Sequence, residues 1–189
     1  MAIHLIPIAR KGLLYSFEPF SGLLLVRPIK GQDVQTHRLP EQIQFNLHQN
    51  DRPYQLRQAS SELKTDVRAG RWLKIYAYIL VRICQASFGL ARIFAYFRFP
   101  VFNNASEAIL AFRTIFPGQV QEDLCFARSL FATSTSKKYG VGDVVFIGVF
   151  LPSRSMHAWV IEGGIQPDPL DNIWINFQPV AACYKREGP

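Results

Sequence analysis

Cysteine is scarce in this chain: three residues, Cys84, Cys125 and Cys183, among 189. The count is odd and no Cys-x-x-Cys pair occurs, which argues against both a disulfide framework and a cysteine-rich zinc site. Long uninterrupted apolar runs are also missing. The most apolar stretch, residues 72–97, is broken by Lys74, Arg82 and Arg92 into pieces well short of the roughly 18–20 residues that a bilayer span needs. It reads as one long buried or groove-forming helix, and no membrane span is expected. The opening MAIHLIPIARKG is too short and too proline-interrupted for a signal peptide, so a reducing cytoplasm is the expected location. Internal repeats, low-complexity tracts and nucleotide or metal motifs are absent, so no cofactor and no metal is expected. No helix-turn-helix, zinc-finger or RNA-binding signature occurs and the Lys/Arg residues are scattered, which argues against a nucleic-acid partner.

Apolar bulk and lopsided charge are what the chain does have. Nearly half of the residues are apolar and 13% are aromatic, enough for a substantial core and against disorder. Residues 1–100 hold 14 Lys/Arg against 6 Asp/Glu, whereas residues 101–189 hold 7 against 8. The whole positive excess lies in the N-terminal half, a distribution that suits either a partner-binding half or simply a solvated basic face.

Along the chain, HLIPIA, LLYSFEP and GLLLVRPI read as strands, the last two joined by a Phe-Ser-Gly turn. Residues 31–60 are polar and punctuated by Gly31, Pro40 and Pro53, with a short helix or strand at QIQFNL. From Ser60 the pattern turns helical and runs through residues 72–97, ending before Pro100. Asn104 caps the next helix, with Glu107 completing a capping box, and AILAFRTIF stops at Pro117-Gly118. A further helix is expected over about 122–138, closed by Gly140 and Gly142. VVFIGVFL, MHAWVIE and IWINFQPVA are β-branched and aromatic, and read as strands. The result is an α+β chain, divided as a small β-rich module at 1–65, a helical connector at 66–100 and an α+β domain at 101–189.

Two residues could carry chemistry together. Cys125 falls in the first turn of its helix, bordering the polar side with Arg128 and Ser129, where unsatisfied N–H groups and the helix dipole favour a thiolate. By itself, such a cysteine is most simply core filling. His157 lies in an apolar strand 32 residues later, a separation that suits a helix, a turn and a returning strand. A thiol nucleophile needs a base within hydrogen-bond reach, and the base needs a third group to fix its tautomer. Asp168 and Asp171 are the available carboxylates, both following the tight Gly163-Gly164 turn that would send the chain back antiparallel to the histidine strand. Cys84 and Cys183 read as structural.

CFARSLF, VVFIGV, MHAWVIEGG and Asp168-Pro169 follow one another in the order and spacing of a known peptidase. Residues 117–170 resemble the C-terminal domain of the lasso-peptide leader peptidases, the single-chain "B" proteins of the microcin-processing type. That family lies within the transglutaminase-like, papain-like cysteine peptidase superfamily. The resemblance implies that Cys125 is the nucleophile, His157 the general base and Asp168 the orienting carboxylate, with Asp171 the alternative because the aspartate comes one residue early. It also places Phe150 where the family commonly has arginine. Gln119 or Gln121 could assist an oxyanion hole. LLYSFEPFSGLLLVRPI resembles, more loosely, the paired strands of the family's leader-recognition module, to which a leader peptide adds as an extra strand. The implied activity is thiol-protease removal of the leader from a ribosomally made precursor peptide. A separate ATP-dependent, asparagine-synthetase-like lasso cyclase would be the partner. A transglutaminase-type acyl transferase and a non-catalytic peptide-binding protein are the alternatives.

Overall fold

The computed structural model describes residues 2–29, 69–94, 97–117, 124–168, 171 and 176–185. QIQFNL, Gln119 and Gln121 lie outside them. The described chain is α+β. Four short strands, β1 (Ala2–Leu5), β2 (Ile8–Arg10), β3 (Leu13–Phe17) and β4 (Leu24–Pro28), lead to four helices. These are α1 (Arg71–Ala86), α2 (Phe88–Phe94), α3 (Ala105–Ile115) and α4 (Cys125–Thr135). Strands β5 (Val144–Phe150), β6 (Ser155–Ile161) and β7 (Gln178–Tyr184) follow. One antiparallel sheet has the order β1-β7-β5-β6 and a smaller one the order β2-β3-β4.

Elements from either side of residues 65 and 100 pack together. Strand β1 pairs antiparallel with β7, Ala2 opposite Tyr184, so the first residues complete the C-terminal sheet. Pro7 separates β1 from β2, because proline has no N–H to donate to a ladder and breaks the run that HLIPIA suggested as one strand. Phe17 of β3 shares a single buried cluster with Ala77 and Leu80 of α1 and with Ile147 of β5.

Residues 72–97 do not form one helix. The chain is extended at Ser87, which ends α1, and the Ser87 hydroxyl accepts the N–H of Leu90 to start α2. The Ser-Phe-Gly sequence is the cause: serine offers an N-cap and Gly89 has little helix propensity. Gly89 instead donates its N–H to the carbonyl of Phe20 in the β3–β4 hairpin. Phe88 then packs edge-on against Phe17 with centroids 4.9 Å apart.

The cap of α3 forms as its sequence suggests, with Asn104 accepting the Glu107 N–H at 2.9 Å. Glu107 reaches back to the N–H of Asn103 rather than of Asn104, one residue outside the usual reciprocal pair. Glu162, at the end of β6, accepts the N–H of Ala105 at 3.0 Å. An anion at the positive end of α3 ties that helix to the sheet.

Strand β5 is buried on both faces, which explains its continuous apolar run. Val145, Ile147 and Val149 face α3 and α4, whereas Val144 and Phe146 pack with Trp159, Ile161 and Ala182 on the opposite face. After β6, Gly163 (φ 59°) and Gly164 (φ 77°) make the tight turn, a left-handed pair that glycine adopts without strain. Among the described residues the chain does not return as a strand. Glu162 and Ile165 bridge, after which residues 166–168 and Asp171 follow an irregular path back over β6 and α4.

Candidate active site

Helix α4 brings Cys125 to the edge of the main sheet. Cys125 is the first helical residue, Leu124 the cap, and the first intrahelical bond is Arg128 N–H to Leu124 carbonyl at 2.8 Å. The N–H groups preceding Arg128 therefore have no partner within the helix. Among the described residues strand β6 lies at the edge of its sheet, paired with β5, so one side of its backbone faces away from the sheet. From that side the Ala158 N–H donates to Cys125 Sγ at 3.3 Å. Cys125 is buried, 7% exposed, whereas its place in the helical pattern put it on a polar border.

His157, next along the same strand, is 2% exposed. Its Nε2–H donates to Asp171 Oδ2 at 2.6 Å. The ring lies parallel to Trp159 (centroids 6.2 Å, 15° between planes) and within 5.1 Å of Phe177. With Nε2 committed to the carboxylate, Nδ1 is buried without a hydrogen-bond partner among the described residues. That leaves Nδ1 the nitrogen able to exchange a proton with the thiol. Burial alone would lower the His157 pKa, but the Asp171 hydrogen bond and the adjacent Cys125 charge push it up to about 9. Burial would raise the Asp171 pKa; the hydrogen bond and charge of His157, with Arg128 and Arg113, hold it below the ordinary carboxylate value instead. Both shifts run in the direction that favours a protonated imidazole beside a charged carboxylate.

Asp168, the carboxylate expected beside the histidine, is not there. It accepts from Arg113 Nη2 on α3 at 2.9 and 3.0 Å and stands 3.3 Å from Arg128 Nε on α4. The alternative, Asp171, is the residue on the imidazole, and Arg128 Nη2 reaches the same Asp171 oxygen at 3.1 Å. The two aspartates are linked by Asp171 N–H donating to the Asp168 carbonyl at 3.2 Å. This turn sets them side by side over two arginines that the sequence pattern does not assign to the site. Their signal was Arg128 at one turn from Cys125, a charge on a helix with few other ionic groups.

A cleft of about 240 Å³ opens onto the thiol. It is walled by Val81, Cys84 and Gln85 at the end of α1, by Ser21 and Gly22 at the tip of the β3–β4 hairpin, and by Met156 and His157 on β6. No Asp, Glu, Lys or Arg among the described residues lines it. Cys84 shares this wall, yet burial and the Cys125 charge push its thiol up to about 12, so it stays protonated at neutral pH. Cys183, on β7, is buried in the core. Of the three cysteines, only Cys125 combines a helix start, a backbone donor and a histidine.

Gly148 and Phe150 of the Ile-Gly-Val-Phe stretch support the histidine from behind. A Cβ on Gly148 would stand 2.7 Å from two indole carbons of Trp159 and 3.0 Å from the Gln178 carbonyl. The missing side chain lets the indole that stacks on His157 lie flat on β5. The ring centroid of Phe150 is 6.0 Å from that of Phe177, the other ring against His157. Where the resemblance leads one to expect arginine, this chain has an apolar contact.

No family model, curated protein or solved structure matches this chain significantly. Among the described residues no helix is long and apolar enough to cross a membrane.

Proposed function

We propose that the protein is a cysteine peptidase of the transglutaminase-like kind that removes the leader from a ribosomally made lasso-peptide precursor. The observation that carries the peptidase reading is the buried relay from Asp171 Oδ2 to His157 Nε2 at 2.6 Å, beside a cysteine at a helix start. A binding module gains nothing from burying a histidine–aspartate pair against a thiol, whereas a thiol nucleophile is activated by a base that a third group orients. The lasso-precursor assignment rests on the resemblance of residues 117–170, and the apolar cleft suits a peptide segment.

In this mechanism the Cys125 thiolate attacks the scissile carbonyl and the imidazolium gives its Nδ1 proton to the departing amine of the core peptide. His157, now neutral, takes a proton from water, and the hydroxide formed hydrolyses the leader thioester, releasing the leader acid and restoring the Cys125 thiolate beside the imidazolium. Asp171 keeps Nε2 protonated and the ring in place throughout. Backbone N–H groups in the first turn of α4 hold the oxyanion of each tetrahedral intermediate. The freed core passes to the ATP-dependent lasso cyclase, and the leader adds as a strand to the small N-terminal sheet.

The test is intact mass spectrometry of a lasso precursor incubated with the protein and with Cys125→Ala, with and without the cyclase. Release of an intact leader by the wild type alone supports the reading. Equal cleavage by both proteins removes Cys125 from the chemistry. An added amine captured on the leader in place of water points to an acyl transferase. No cleavage under any condition, with the precursor still bound, favours a peptide-binding protein.

A further inference from the structure

We infer that Arg128 is a positioning residue: its two-pronged grip on Asp171 and Asp168 locks the carboxylate of the relay to the helix that carries the nucleophile. This rests on the peptidase reading for its consequence in turnover, but the geometry stands without it. Asp171 receives both of its side-chain contacts on one oxygen, Oδ2, from His157 at 2.6 Å and from Arg128 at 3.1 Å. Its other oxygen, Oδ1, is buried without a hydrogen-bond partner among the described residues. Without Arg128, no second contact on that carboxylate among the described residues would choose the oxygen presented to the imidazole.

The guanidinium suits this task and an ammonium does not. Nη2 reaches Asp171 at 3.1 Å while Nε of the same planar group stands 3.3 Å from Asp168. A lysine has one charged centre and cannot hold two carboxylates in fixed directions. Arg113 also holds Asp168, at 2.9 Å, and Gln166 accepts the Asp168 N–H at 2.9 Å. Asp168 is thus the anchor of the arginine. Arg128 itself is 3% exposed and lies one helical turn after Cys125. Nucleophile, base and orienting carboxylate are therefore carried by one frame, in which α4 supplies both Cys125 and the group that fixes Asp171. The charged groups facing Asp171 are His157 from β6, Arg128 from α4, Arg113 from α3 and Asp168 from its own loop.

The experiment uses the full chain as Arg128→Lys, Arg128→Met and Asp168→Asn. One measurement is kcat and KM on the precursor. The other is the pH profile of Cys125 alkylation by iodoacetamide, read by mass on the Cys125 peptide, which needs no substrate. Losing a charge-assisted contact to Asp171 lowers kcat about tenfold or more, with KM within about twofold because the arginine does not touch substrate. The acid limb of the alkylation profile moves to higher pH, since Asp171 then protonates more readily. Arg128→Lys shows the same defect despite its retained charge, and Asp168→Asn a smaller one. A merely structural ion pair would change the melting temperature and leave both the limb and kcat of the folded fraction in place, and that result overturns the inference. If Arg128→Met does not fold, Arg128→Lys decides: wild-type kcat and limb in this variant refute the positioning role. If the wild type cleaves nothing, the peptidase reading fails, and the alkylation profile alone still decides what Arg128 does.

Discussion

Helices α1 and α4 invert the usual relation between composition and burial. Helix α1, RWLKIYAYILVRICQA, has the larger share of apolar side chains, twelve of sixteen, yet only Ala77, Leu80 and Val81 are buried. Trp72 is 82% exposed, and Tyr78 and Ile79 are about half exposed. Helix α4, CFARSLFATST, carries five polar residues and buries ten of eleven, Arg128 among them. The difference lies in satisfaction rather than hydropathy. The hydroxyls of Thr133, Ser134 and Thr135 bond to carbonyls three or four residues back, and Tyr76 reaches Ser134 from α1. Arg128 meets two carboxylates. Polar groups whose partners come from the fold can be buried at little penalty, while apolar groups with nothing to pack against stay outside.

That comparison is open to attack at several points. Under the proposed mechanism, replacing His157 with alanine removes the base, and cleavage of a precursor peptide is expected to fall by about 10²–10⁴, measured as kcat/KM. Arg128→Met should destabilise the fold by about 3–5 kcal/mol in urea unfolding, because Asp168 and Asp171 would be buried without it. Arg82→Met on exposed α1 should stay within about 0.5 kcal/mol. Equal effects of the two arginines would break the contrast.

Gly148→Ala should cost about 1–3 kcal/mol, since the new methyl meets the Trp159 indole and a backbone carbonyl. It should also slow Cys125 alkylation, by displacing the ring that backs His157. The pH dependence of stability has a definite sign. The folded His157 pKa is raised from 6.5 to about 9, so its stabilisation is complete below about 6.5 and is lost as pH rises through about 9. Thermal melts of wild type should fall across that window, and those of His157→Gln should not. Asp171, held below 3.8, contributes at pH above that value and loses its contribution as pH falls through the depressed folded pKa. The smallest effect is expected from Trp72→Ser, within about 0.5 kcal/mol, which would confirm that the aromatic face of α1 adds little to the isolated fold.

Much of this site is legible in the sequence because it is written in local spacing. The Asn104–Glu107 cap, the cysteine at a helix start and the apolar β5 and β6 strands all arise from neighbours within four residues. The Ser87 break is equally local, but a strong apolar run masks a serine cap. Asp168 and Asp171 cannot be told apart by spacing, because they are three residues apart in irregular chain. Which of them meets His157 depends on a turn, on Arg113 from α3 and on Arg128 from α4.

The sequence by itself determined most of the elements, the helix start that holds Cys125, and the histidine strand, since periodicity, capping and glycine chemistry act over a single turn or a single strand pleat. Only the tertiary structure decided that β1 closes the C-terminal sheet, that α4 is buried on nearly every side, and that Asp171 rather than Asp168 faces the imidazole. The first rests on strand pairing between residues 176 to 182 positions apart and the last on ion pairs and hydrogen bonds spanning 14 to 55 positions, and no local pattern records which distant partner will satisfy a buried charge.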